Sequence, residues 1–125
     1  MTIDEVIALL EESPGPDIKL DVMITALVEP GWEAVDGSLT LRRWSDKCAE
    51  WHYKYPPKFT NNIQLARDLS SWILLQASDI GADGLAVVVL GNPDTSPAGE
   101  VRGIHACLEI AWCIASLKAI KADRA

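Results

Sequence analysis

Leu85-Ala86-Val87-Val88-Val89-Leu90 is an unbroken apolar run of strand length, with Asp83-Gly84 before it and Gly91-Asn92-Pro93 after it. A run apolar at every position has no solvent face, so it reads as a central strand buried on both sides. Something apolar must cover it. Residues 105–121 form the longest helical pattern, in which Leu108, Ile110, Ala111, Trp112, Ile114, Ala115, Leu117 and Ile120 leave only a narrow polar strip at Glu109 and Ser116. A helix apolar nearly all round belongs in the core. The loop between the two has room for a short edge strand near 100–104. Upstream, Thr60 reads as the N-cap of a helix over 61–76, where Ile63, Ala66, Leu69 and Ile73 form one stripe with Trp72 beside it.

Thr2-x-x-Glu5 is a capping box, and Ile3, Val6, Ile7 and Leu10 follow at helical spacing, which predicts a helix over 3–12. Ser13-Pro14-Gly15-Pro16 ends it, because proline cannot continue a helix. Asp17 caps a second helix carrying Leu20, Met23, Ile24 and Leu27, and Glu29-Pro30-Gly31 stops that one. Asp36-Gly37 is a turn signal. Residues 38–44 and 49–54 alternate as two strands, with Trp51 and Tyr53 on one face and Glu50, His52 and Lys54 on the other. Lys47–Trp51 also fits a helical turn. The order is α-α-(ββ)-α-β-(β)-α, an α+β fold in one domain over 1–125.

The composition is ordinary for a globular chain: 125 residues, 49% hydrophobic and 23% charged. That excludes wholesale disorder. No apolar run reaches the roughly 18 residues of a membrane span, and the acidic N-terminus is no signal peptide. Three cysteines without an export signal fit a reducing cytoplasm better than a disulfide framework. A net charge of −7 argues against duplex nucleic acid. The charge is uneven: residues 1–37 carry nine acids against Lys19, whereas 38–67 carry Arg42, Arg43, Lys47, Lys54, Lys58 and Arg67 against Asp46 and Glu50. The basic stretch also holds Trp44, Trp51, Tyr53, Tyr55 and Phe59.

Three stretches carry a resemblance: Gly15-Pro16-Asp17-x-x-Leu20-Asp21-x-x-Ile24, Phe59-Thr60-x-x-Ile63, and Cys113-Ile114-Ala115-Ser116-Leu117-Lys118-Ala119. In this order and at these distances the chain resembles small phage and prophage proteins with a phage ABA sandwich domain. The resemblance implies a single three-layer αβα sandwich, with a small, mainly antiparallel sheet and helices packed on it. It also implies a viral or prophage accessory origin in a bacterial host. It carries no activity and no catalytic residues.

Among candidate chemistries, Cys48, His52, His105 and Cys107 offer four N/S metal ligands on paper, yet no Cys-x-x-Cys pair exists and a half-buried histidine is the ordinary reading. Cys48 beside Lys47 and near His52 has the composition of an activated thiol, but no helix start or orienting carboxylate surrounds it. Gly-x-Ser-x-Gly and the Gly-rich phosphate loops are absent. Asp79–Gly84 lacks the ligands of a calcium loop and reads as a turn. No cofactor signature is present. The strongest candidate is the basic aromatic segment, where Arg42, Arg43, Trp44, Tyr53, Lys54 and Lys58 combine anion-binding and stacking groups. The expectation is a protein without enzymatic activity that captures an anionic, nucleotide-like ligand or a host protein. The alternatives are a self-assembling virion component, which fits a homo-oligomer, and a metal-dependent hydrolase.

Overall fold

The computed structural model describes residues 2–78, 83–94 and 99–124. The elements in chain order are α1 (Ile3–Glu12), α2 (Ile18–Val28), β1 (Glu33–Ala34), β2 (Leu41–Ser45), β3 (Glu50–Lys54), a 3-10 turn (Phe59–Asn61), α3 (Ile63–Arg67), β4 (Ile73–Ser78), β5 (Ala86–Gly91), β6 (Glu100–His105) and α4 (Leu108–Asp123). The chain is α+β. Among the described residues its strands form two antiparallel three-stranded sheets, ordered β1-β2-β3 and β4-β5-β6, with helices packed against them. No described helix is long and apolar enough to cross a membrane.

α4 organises the interior. It lies against β5 and β6 on one side and against α1 and α3 on the other. Hence Ile110, Ala111, Trp112, Cys113, Ile114, Ala115, Ser116 and Leu117 are all buried without a break. The helix begins at Leu108 and not at 105, because His105 is still paired with Ala86 in the β5–β6 ladder. β5 is central as its apolar run requires, and Ala86, Val88 and Leu90 face the core. The short strand near 100–104 is present as β6. Gly103 sits directly under α4, so that a Cβ there would land on the backbone of Ala111 and Ala115.

The helix expected over 61–76 is corrected. α3 ends at Arg67, and residues 73–78 form β4, paired antiparallel with β5. The reason is non-local. A central strand needs a hydrogen-bonding partner on each edge, and β6 supplies only one. The register shifts between Leu74 and Gln76, and the Leu75 side chain closes over Gly91, which has no Cβ to obstruct it. β4 is an edge strand among the described residues, uncharged along its length, with Ile73, Leu74 and Leu75 exposed.

Thr60 is also reassigned. Asn62 caps α3 by accepting from Leu65 N at 3.1 Å. Thr60 is instead buried against α2, where its N–H and Oγ–H donate to Asp21 Oδ1 at 2.8 and 2.9 Å and its Oγ accepts from Asp17 N at 2.9 Å. Burial pushes the Asp21 carboxyl above the ordinary carboxylate range, partly offset by the two Thr60 bonds. A raised carboxyl favours the fold most when protonated, and that contribution is lost as pH rises through the raised value. At neutral pH the ionised group is therefore a liability. Asp21→Asn, which keeps an acceptor oxygen, should leave thermal stability at neutral pH equal or higher, with the difference closing on acidification. Asp21→Ala strands the Thr60 N–H and should cost about 1–3 kcal/mol. Equal damage from both substitutions at neutral pH would contradict this account.

The capping box at Thr2 and Glu5 and the Asp17 cap form as expected. The Asp36-Gly37 turn also forms, with Gly37 at φ 71, where a side chain would be strained. The turn follows β1, a two-residue strand without a detectable sequence pattern, and leads into β2.

Candidate functional site

Strand alternation and antiparallel pairing divide the basic aromatic segment between two faces. Arg42 is opposite Tyr53 and Trp44 opposite Trp51, and these four, with Glu33, form the outer face of the β1–β3 sheet. Leu41, Arg43 and Ser45 pair with Lys54, His52 and Glu50 on the other face. The expected separation of Trp51 and Tyr53 from Glu50, His52 and Lys54 is what the register shows.

The outer face is aromatic and open. Trp44, Trp51 and Tyr53 are 47%, 39% and 61% exposed. Trp44 and Trp51 meet edge to face with ring centroids 5.3 Å apart, and the Arg42 guanidinium lies 4.2 Å from the Trp51 ring centre. Trp44 Nε1 donates to Asp46 at 2.8 Å, which fixes the ring's edge. On the other face Trp32 lies between two cations, with the Arg43 guanidinium 4.8 Å and Lys54 Nζ 4.5 Å from its ring centre.

The six residues singled out from the sequence are therefore not one cluster. Arg42, Trp44 and Tyr53 share the outer face, Arg43 and Lys54 flank Trp32, and Lys58 lines a separate cavity of about 180 Å³ beside Asp17, Asp21 and Thr60. Two of their four cations are also paired with acids. Arg42 Nε donates to Glu33 Oε1 at 2.7 Å, and Lys54 Nζ donates to both Glu29 carboxylate oxygens at 2.9–3.0 Å. The acidic stretch before residue 37 has folded back onto the basic one. Trp32, Glu29 and Glu33 were missed from sequence because they belong to a loop and a two-residue strand.

The four paper metal ligands are not assembled either. His105 Nε2 donates to the Ser13 carbonyl at 2.7 Å, and its Nδ1 accepts from Cys107 N at 2.8 Å, so both ring nitrogens are occupied in a buried site. The Cys107 thiol donates to Glu109 at 3.0 Å, and burial with that bond pushes it up from the ordinary thiol value. Cys113 is buried in α4, donates to the Phe59 carbonyl at 3.2 Å and is raised much further, again chiefly by burial. Both are held as thiols, the form that neither attacks nor ligates. Cys48 is exposed at the hairpin tip, near Glu50 and His52. The aspartate-rich loop lies, from Asp79 to Ala82, outside the described residues.

An open groove of about 530 Å³ runs between α2 and residues 34–39, over Val22, Met23, Val35 and Leu39. No aromatic side chain of the β2–β3 hairpin lines it. No family model matches the chain, and neither a curated protein nor a solved structure does.

Proposed function

We propose that the chain acts without catalysis, by docking a partner protein on the outer face of the β1–β3 sheet. The observation that carries this is the exposure of Trp44, Trp51 and Tyr53 on one flat face with Arg42 stacked among them. Trp, Tyr and Arg are the side chains that dominate interface energetics. Small ligands favour concave sites, and here two of the cations that would hold a nucleotide's phosphates, Arg42 and Lys54, are already paired with Glu33 and Glu29. A host protein as the partner, and a phage or prophage accessory role, belong to this reading through the resemblance of the Gly15–Ile24 and Cys113–Ala119 stretches.

The test compares the chain with a Trp44→Ser/Tyr53→Ser variant in capture from a bacterial lysate, alongside a thermal-shift screen of mono-, di- and cyclic nucleotides. A protein retained by the native face and lost with the variant is the expected result. A ligand at 100 times its Kd stabilises by about 2.7 kcal/mol, so a nucleotide that shifts the midpoint, or capture indifferent to the substitutions, would overturn the reading. A self-assembling component is the second reading, and the exposed, uncharged β4 edge supports it. A defined oligomer by light scattering, dissociated by Leu75→Lys, would favour it.

A further inference from the structure

We propose that the tip of the β2–β3 hairpin binds one thiophilic divalent ion, zinc, through Cys48, Glu50 and His52. Glu50 and His52 are two residues apart on β3, so the strand period puts them on one face. The connection 46–49 supplies the third donor. Ala49 adopts a left-handed conformation at φ 52, and Cys48 N donates to Ser45 Oγ at 3.3 Å, so the turn doubles back above that face. The thiol sulfur, a carboxylate oxygen and an imidazole nitrogen then lie within 4.8 Å of one another. Glu50 Oε1 and His52 Nε2 are already 3.3 Å apart.

Tetrahedral zinc with bonds of about 2.0–2.3 Å holds its ligand atoms roughly 3.3–3.8 Å apart. All three side chains are substantially exposed, so small rotations close the remaining distance without disturbing the core. The donor set decides the metal. One thiolate and one imidazole with a single carboxylate suit zinc and disfavour magnesium and calcium, which require oxygen cages. Three protein ligands leave the fourth position open to water. The cation nearest in register, Arg43 opposite His52, is drawn to the Trp32 ring and away from the donors. The site uses neither His105 nor Cys107, and it lies on the face opposite Trp44 and Tyr53, so it stands independently of the docking reading.

The experiment uses full-length chain purified without a histidine tag and stripped with chelator. It follows cobalt(II) titration by the thiolate-to-cobalt charge-transfer band, and zinc affinity by competition with a chromophoric chelator. One equivalent of metal with a charge-transfer band is expected. Cys48→Ser should abolish the band, and His52→Ala should weaken zinc binding at least about tenfold. Cys107→Ser should change neither. Unchanged unfolding midpoints in apo Cys48→Ser and His52→Ala show that the fold is intact, as the exposed hairpin tip leads one to expect. No stoichiometric uptake, a band that survives Cys48→Ser, or zinc affinity indifferent to His52→Ala would overturn the proposal.

Discussion

Trp112→Ala should lower unfolding stability by about 3–5 kcal/mol, the ordinary cost of truncating a buried tryptophan to alanine. Trp112 is 5% exposed in the middle of α4, the helix that packs on the β4–β6 sheet on one side and on α1 and α3 on the other. The cavity therefore opens within the buried cluster that α4 shares with these elements. Domains of this kind are stable by only about 5–15 kcal/mol. A loss of that size should drop the thermal midpoint by on the order of 10–20 °C. Chemical denaturation with a loss below about 1 kcal/mol would show that the ring is not packed as described.

Gly103→Ala should be comparably damaging for the opposite reason. The added Cβ would collide with the Ala111 carbonyl oxygen and come within 2.7 Å of Ala115 N and 2.9 Å of Ala111 C. These are backbone atoms of a helix, so no side-chain rotation relieves the clash. α4 must lift off β6 as a body. Overpacking commonly costs about 1–3 kcal/mol, and a rigid obstruction belongs at or above the top of that range. Gly15→Ala is the matched control, since nothing lies within 4 Å of a Cβ there. A Gly103→Ala chain with native near-ultraviolet dichroism and an unchanged midpoint would refute the close approach of helix and strand.

The parts of the fold legible in the sequence are those whose pattern is imposed by burial on every side. β5 and α4 have no solvent face to confuse the reading, and α1 and α2 announce themselves through Thr2, Glu5 and Asp17. Residues 61–76 misled because Ile63, Ala66, Leu69 and Ile73 keep helical spacing past the point where the chain leaves the helix. What draws the chain out of the helix is the unfilled edge of β5 at Ala86–Gly91, a strand well beyond Arg67 in the sequence. The candidate face was half legible. Period-two alternation separated Trp51 and Tyr53 from His52 and Lys54. The neutralisation of Arg42 and Lys54 could not be read, because Glu33 and Glu29 come from segments with no periodic signal of their own.

The β1–β3 sheet meets the rest of the molecule sparingly: Leu41 is the single buried residue in its three strands, and β1 touches α2. Sheets so lightly anchored open on their own, at a free energy well below that of global unfolding. The amides of β2 and β3 should thus exchange with solvent through local excursions, while those of β5 and α4 should wait for the whole domain, an order that native-state hydrogen exchange would check. The aromatic face rides on this lightly anchored sheet, so an interaction there should be felt first as a quieting of that sheet's motion.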